Sequence, residues 1–374
     1  MPSSHRSLVK VFGIEIRFHV SWLIILFLIA LSLSSYFRTA NPSWSAPLVW
    51  GIALLTTFLF FLSVILHELA HSLTARHFGL PVHAITLFVF GGVSELPREP
   101  DQASTEFWIA IAGPATSVVL GALFLGLSRL GDRHQPLIAL CWWLGSINIL
   151  LAIFNLLPGF PLDGGRILRA ILWLAQRDFL KATRWATWVG KGMAILLIAG
   201  GIFEFFLGRG LGGLWLAFIG WFLLSAAEQS WRQTEIRDAL ANYTVRDLAT
   251  PFFSRVAAGV SLEDYFDRVA ESANYRSSLV MDEDEQLLGI IAPVDLRTIP
   301  RSRWPQMTVG EVMKPRDQVR TVQSSEGLAQ VLEKMAMENV HQIPVVEDSR
   351  VHGVIQRDRI IHLLQTHLSQ RRAA

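Results

Sequence analysis

The chain has 374 residues, of which 51% are hydrophobic and only 17% charged, whereas soluble domains carry about 25% charged residues. The net charge of +2 and the absence of a basic patch give no sign of a nucleic-acid partner, and the single cysteine, Cys141, excludes a disulfide framework or a cysteine-based metal site. The apolar excess ends near residue 232. We therefore predict a membrane domain (1–230), a linker (231–243) and a polar domain (244–374).

Six apolar segments are long enough to cross a lipid bilayer as helices, which takes about 20 residues each. They lie near residues 18–36, 49–77, 106–129, 137–157, 187–207 and 211–228. The stretch before the first segment lacks the anatomy of a cleavable signal and reads as a signal anchor that stays in the membrane. The sequence thus predicts a multi-pass α-helical membrane protein.

The basic residues predict the orientation of this protein in the cell membrane, since cytoplasmic loops carry an excess of lysine and arginine. Basic residues precede the first span and also follow the fourth, with an even number of spans between: Arg6, Lys10, Arg17, Arg166, Arg169, Arg177, Lys181 and Arg184. We therefore expect the N-terminus and the polar C-terminal domain in the cytoplasm.

The segment HAITLFVFGGVSELP, residues 83–97, lies between the second and third spans. It is too short for a span and rich in glycine and β-branched residues. These features predict a strand or a β-turn-β element that dips into the membrane, where protein or a cavity must shelter its backbone.

The second span contains the sequence HELAH, with His67, Glu68 and His71 among apolar residues. Ionisable groups are costly in a membrane segment and are therefore candidates for function. On a helix the two histidines share one face, and this spacing is that of zinc metalloproteases, with the glutamate as general base. His77 and His83 lie nearby without the spacing, and we expect them at the membrane interface.

A catalytic zinc ion usually has three protein ligands and one open position, so two histidines leave one ligand to be found. The stretch NLLPGFPLDGGR, residues 155–166, offers Asp163 before two glycines. This carboxylate is either the N-cap of the following helix or the third ligand. The incomplete histidine pair favours the ligand.

The polar domain contains an internal repeat, with copies at residues 244–300 and 307–368. Each copy begins with Thr-Val-x-(Asp/Glu), continues through an amphipathic helix and ends in two short strands around an acidic turn. A Gly-(Ile/Val)-Ile pattern followed by an aspartate, Asp295 or Asp358, closes each copy. Two such units are expected to pack on each other.

Three motifs of the membrane part resemble the site-2 protease family of intramembrane zinc metalloproteases: HELAH, NLLPGFPLDGG and the AGPATS stretch between them. The resemblance implies His67, His71 and Asp163 as ligands of one zinc ion and Glu68 as the general base. It also implies that Asn155 positions substrate or stabilises the oxyanion. The expected function is hydrolysis of a peptide bond in or near the transmembrane segment of a single-span membrane protein, in regulated intramembrane proteolysis.

The same resemblance implies a role for FVFGG, residues 88–92, as a membrane-associated strand that pairs with substrate. A helix hides its peptide bonds in internal hydrogen bonds, so a substrate helix must unwind locally before it is cut. A strand edge near the zinc ion would capture the unwound segment.

The repeat of the polar domain resembles a tandem pair of cystathionine-β-synthase (CBS) domains with an α+β fold. The resemblance implies an adenine nucleotide between the copies, with Asp295 and Asp358 at the ribose. Ala292 and Gln356 stand where the family has a hydroxyl residue near phosphate. A purely structural role or homodimerisation through the CBS domains is the alternative to nucleotide binding.

Two other functions compete with the protease. A CBS-regulated membrane transporter or channel would predict inverted repeats or matched broken helices, and the spans show no such symmetry. A catalytically inactive relative that escorts membrane proteins is the other. The presence of the four polar residues of the expected zinc site argues against it, namely His67, Glu68, His71 and Asp163.

Overall fold

The computed structural model describes residues 5–19, 21–82, 84–88, 91–94, 99–132, 135–208, 210–271, 277–347 and 350–373. The chain divides into two compact units, residues 1–232 and 233–374.

Unit 1 consists of helices and one small sheet. Its elements are β1 His5–Val11, β2 Ile14–His19, α1 Ser21–Ala40, α2 Ala46–His77, β3 Ala84–Phe88, β4 Gly91–Ser94, α3 Ala103–Leu127, α4 Pro136–Asn155, α5 Asp163–Gln176, α6 Phe179–Phe206 and the part of α7 Leu211–Leu240 up to residue 232, the rest of which belongs to unit 2. In the described part of the chain, six helices are long and apolar enough to cross a membrane, namely α1, α2, α3, α4, α6 and α7. The predicted number of spans is confirmed, although α6 begins at Phe179 rather than near residue 187.

The short helix α5 is the exception among the helices of unit 1, because it has only 14 residues and is strongly amphipathic. It follows α4 after a turn that contains the Leu-Leu-Pro-Gly stretch. Helix α3 packs against α2, α4 and α5, so residues on its buried face contact several neighbouring helices.

The sheet of unit 1 has four strands in the order β1-β2-β3-β4. The predicted β-turn-β element is present as β3 and β4, which pair antiparallel, while residues 89 and 90 lie outside the described residues. The N-terminal stretch before the first span forms the β1–β2 hairpin, and β2 pairs parallel with β3. Phe12 and Gly13 both have positive φ, 49° and 76°, as a two-residue hairpin turn matched to the strand twist requires.

Unit 2 contains the two copies of the repeat. Its elements are α8 Val245–Leu248, β5 Arg255–Ala257, α9 Leu262–Glu271, β6 Ser278–Met281, β7 Leu287–Ile291, α10 Val309–Val312, β8 Lys314–Pro315, α11 Leu328–Met337, β9 Gln342–Glu347, β10 Arg350–Gln356 and α12 Arg357–Ala373. The first copy has a helix and two antiparallel strands, α9-β6-β7, and the second has α11-β9-β10. The predicted tandem α+β repeat is confirmed.

The leading segment of each copy is its N-terminal part, which contains α8 in the first copy and α10 in the second. The two copies exchange these segments. Val245 begins the first copy but is fully buried with Leu328 in the core of the second. Val309 begins the second copy but is fully buried with Leu262 in the core of the first. Each copy therefore completes the hydrophobic core of the other, which explains why neither forms a compact unit alone.

Both leading segments start with the same capping box. The backbone N–H of Thr244 donates to Asp247 Oδ2 over 2.7 Å, and that of Thr308 donates to Glu311 Oε2 over 2.8 Å. The N–H and hydroxyl of Thr244 hold the pKa of Asp247 below its usual value. The residues assigned to a linker, 231–243, are mostly helical because α7 continues to Leu240.

Candidate metal centre

The two histidines of α2 point into the protein interior. The helix is continuous through the motif, so His67 and His71 lie one turn apart on the same face. Only 4% of His67 and 6% of His71 are exposed. Their Nε2 atoms are 3.2 Å apart, which places two metal-ligating nitrogens side by side.

Asp163 joins this pair from α5. Its Oδ2 atom lies 3.2 Å from His67 Nε2 and 3.2 Å from His71 Nε2. Leu162 occupies the N-cap position and Asp163 is the first residue of α5. The structure therefore excludes the N-cap alternative for this carboxylate.

Two glycines allow the chain to turn tightly into α5. A Cβ atom on Gly164 would lie 2.3 Å from the carbonyl oxygen of Leu157, and one on Gly165 would lie 2.3 Å from the nitrogen of Phe160. No side chain fits at either position, because the preceding turn lies directly against the start of the helix. The Asp-Gly-Gly sequence thus brings the carboxylate to the end of α5 that faces the histidines.

The three donor atoms fit a zinc ion. A tetrahedral zinc ion with ligands at about 2.0–2.2 Å separates its donors by about 3.3–3.6 Å, close to the three distances of 3.2 Å. Two imidazoles and one carboxylate with an open fourth position form a known donor set of catalytic zinc. Among the described residues, His67, His71 and Asp163 are the one such group of potential ligands.

Helix α3 provides the hydrogen-bond partners of the Nδ1 atoms of both imidazoles. His71 Nδ1 lies 2.6 Å from the carbonyl oxygen of Ile109, and His67 Nδ1 lies 2.9 Å from Ser117 Oγ. A carbonyl oxygen only accepts hydrogen bonds, so His71 Nδ1 carries a proton, and in the neutral imidazole the Nε2 atom presents its lone pair to the metal position. Such partners orient metal-ligating histidines.

Gly113 brings α3 against the same two rings. A Cβ atom there would lie 2.2 Å from His71 Nε2 and 2.6 Å from His67 Nε2. Sequence reasoning missed Ile109, Gly113 and Ser117 as parts of the site. Their spacing of four residues puts them on one stripe of α3, and two of them belong to the AGPATS motif, which was the available signal.

The other predicted residues of the site lie around this cluster. Glu68 is half-buried on α2, and its charge interacts with His71. Asn155 is half-buried at the end of α4, and no hydrogen bond in the described part of the chain links it to the cluster. His77 ends α2 away from the cluster, and His83 lies outside the described residues.

The two predicted ribose-binding aspartates lie in different surroundings. Asp358 borders a cavity of about 690 Å³, lined by Asp247, Leu248, Ala249, Asp358, Arg359, His362, Leu363 and Thr366. Asp295 is not among the lining residues, and its Oδ2 accepts the Ala292 N–H over 2.8 Å. The structure thus brings Asp358, but not Asp295, to this cavity.

Comparisons with known proteins agree with both units. The model of peptidase family M50 matches residues 55–132 and 131–199, and the CBS domain model matches residues 309–366, within the second copy. A protein of Synechocystis sp. provisionally named a zinc metalloprotease is 37% identical, covering 96% of this chain and 94% of its own. A zinc metalloprotease of Methanocaldococcus jannaschii is 29% identical, covering 96% and 95%.

A solved structure, the site-2 protease from Methanocaldococcus jannaschii, is 32% identical and covers 61% of this chain and 95% of its own, with a TM-score of 0.43. The fold, the motifs and the relatives define a membrane-embedded metalloprotease followed by CBS domains. The chain belongs to peptidase family M50, the site-2 protease family.

Proposed function

We propose that this protein is an intramembrane zinc endopeptidase that cuts single-span membrane proteins in or near their transmembrane segment. The main support for this function is the cluster of His67, His71 and Asp163, whose donor atoms lie 3.2 Å from one another where α2 meets α5. Ionisable groups inside apolar helices are energetically costly and are therefore candidates for function. The fit of its three donors to zinc supports hydrolysis over transport.

We assign each polar residue a role. His67, His71 and Asp163 would hold the zinc ion, which would supply a Lewis acid that polarises the carbonyl to be attacked and makes water a better nucleophile at neutral pH. Glu68 takes a proton from the attacking water and returns it to the leaving amine. Asn155, at the end of α4, positions the substrate carbonyl or stabilises the oxyanion.

Strand β4 supports a way to present the substrate. It is an edge strand of the described sheet and packs against α2, the helix that carries both histidines. Its free edge offers backbone groups to an extended peptide. An unwound substrate segment paired there would lie along the helix that holds two of the three proposed metal ligands.

The CBS pair is proposed as a cytoplasmic regulatory module. The cavity beside Asp358 has room for a small ligand, and this carboxylate would accept hydrogen bonds from the ribose of an adenine nucleotide. The basic residues of the membrane part favour a cytoplasmic location for this unit and for the N-terminus. Homodimerisation through the same pair is the second candidate role.

Cleavage in detergent tests the proposed activity. Purified full-length protein is incubated with a panel of single-span membrane proteins, in parallel with Glu68→Gln and with wild type treated with a zinc chelator. We expect wild type alone to cut, and zinc added back to the chelated sample to restore cleavage. Equal proteolysis by wild type and Glu68→Gln would contradict the mechanism, because the amide cannot accept the proton.

A further inference from the structure

A buried ion pair joins α3 to α5 close to the metal centre. Arg169 of α5 is 3% exposed and Glu106 of α3 is fully buried. Arg169 Nε donates to Glu106 Oε1 over 2.8 Å, and Nη2 donates to the same oxygen. The guanidinium also lies over the rings of Phe160 and Phe179, at 5.0 Å and 4.6 Å from their centroids.

Stability alone does not account for this pair. Desolvation of two charges offsets most of their attraction, and an apolar pair of similar volume often holds two helices equally well. Arg169 makes the short hydrogen bonds to the carboxylate, while Arg166 Nε lies 3.8 Å from Glu106 Oε1 and Arg169 Nη1 lies 3.8 Å from Glu99 Oε2. The other oxygen of Glu106, Oε2, is buried without a hydrogen-bond partner among the described residues. What an arginine fork adds is a fixed geometry.

The position of the pair suggests what this geometry serves. Glu106 lies on the buried face of α3 that also carries Gly113 and Ser117, which contact the two imidazoles. Arg169 lies on α5, which begins at Asp163, about 9 Å away along the helix axis at 1.5 Å per residue. The pair therefore fixes α5, and with it the carboxylate, to the helix that orients the histidines.

We propose that Glu106 and Arg169 are positioning residues that set the Asp163 carboxylate at the metal position. Helix α3 would then align both halves of the site without supplying a ligand: the histidines through Ile109 and Ser117, and the aspartate through Glu106. The inference rests on the proposed role of Asp163 as a zinc ligand.

Zinc affinity tests the inference independently of proteolysis. The zinc dissociation constant of full-length protein in detergent is measured by competition with a chromophoric chelator, for wild type, Arg169→Gln, Arg169→Lys, Glu106→Gln and Asp163→Asn. Each sample is first checked for folding by thermal unfolding and size exclusion. The matched control is Lys191→Gln, which breaks the half-exposed Lys191–Glu228 pair between α6 and α7, 3.0 Å long.

We expect Arg169→Gln and Glu106→Gln to weaken zinc binding about 10-fold, at the lower end of the range for direct partners of metal ligands, because the pair acts on Asp163 through the position of α5. We expect Lys191→Gln to match wild type. If Arg169→Gln fails to fold, Arg169→Lys carries the test. It keeps the charge beside Glu106 but loses the fork, and we expect weaker zinc binding there too.

Two outcomes would overturn the assignments separately. Folded Arg169 variants with wild-type zinc affinity, beside an Asp163→Asn variant that has lost zinc, would overturn only the positioning role. Wild-type affinity in Asp163→Asn would overturn the ligand assignment itself.

Discussion

Gly113 of α3 faces the Nε2 atoms of both imidazoles, and its lack of a side chain leaves the metal position open. A methyl group would overlap both Nε2 atoms, at 2.2 Å and 2.6 Å. Backbone and ring atoms cannot yield as a flexible side chain does. The space for a metal ion between α2 and α3 therefore depends on this glycine.

We predict that Gly113→Ala folds but loses zinc binding and cleavage. Gly126→Ala, in the same helix, is the matched control, since a Cβ atom there meets nothing within 4 Å. Because alanine favours a helix over glycine by about 0.5–1 kcal/mol, we expect the control to be as stable as wild type or more so. Metal analysis and thermal unfolding of both variants check this, and full zinc content in Gly113→Ala would contradict the account.

At the scale of single residues, local spacing made the site partly predictable. His67 and His71 share a helix face by their spacing alone, so the sequence was sufficient to pair them. Arg169 reads in sequence as one of several basic residues after the fourth span. Its burial depends on Glu106, 63 residues away, and no local pattern shows a contact of that range.

At the scale of elements, packing decides features that periodicity leaves open. The amphipathic helices and paired strands of the two CBS copies follow from their sequence patterns. The exchange of leading segments does not, because Val245 and Val309 occupy equivalent positions and either pairing is compatible with the repeat. Likewise, the β1–β2 hairpin joins β3 through a parallel pairing that is distant in sequence.

We predict that Val245→Asp loosens the second copy and Val309→Asp the first. A buried charge without a partner destabilises the core that contains it, and these valines lie in the cores of the opposite copies. Hydrogen exchange should accelerate in α11, β9 and β10 for Val245→Asp, and in α9, β6 and β7 for Val309→Asp. The opposite assignment, with each variant loosening its own copy, would show that the segments are not exchanged.

At the scale of the whole molecule, the protein combines a peptidase of family M50 with a CBS pair. Composition alone separated an apolar part from a polar part, and the motifs indicated the chemistry of the first. The sequence determines the ligand of the polar part less well, since Ala292 and Gln356 stand where the resemblance to CBS domains implies hydroxyl residues. Of the two closing aspartates, Asp358 borders a cavity of suitable size.

We predict that an adenine nucleotide binds beside Asp358. Calorimetric titration of the full-length protein with ATP and with AMP should give a binding isotherm for at least one of them, which Asp358→Ala abolishes. Asp295→Ala is the matched comparison, and we expect it to bind as wild type does, because Asp295 does not line the cavity. Flat titrations with both nucleotides would leave the structural or dimerising role.

We propose that α2 and α5 hold one zinc ion together, and metal analysis of the purified protein is the test of this site. Zinc per chain is measured for wild type, Glu68→Gln and Asp163→Ala after the same purification. We expect one zinc ion per chain in wild type and in Glu68→Gln, and its loss in Asp163→Ala. A full equivalent of zinc in folded Asp163→Ala would contradict it.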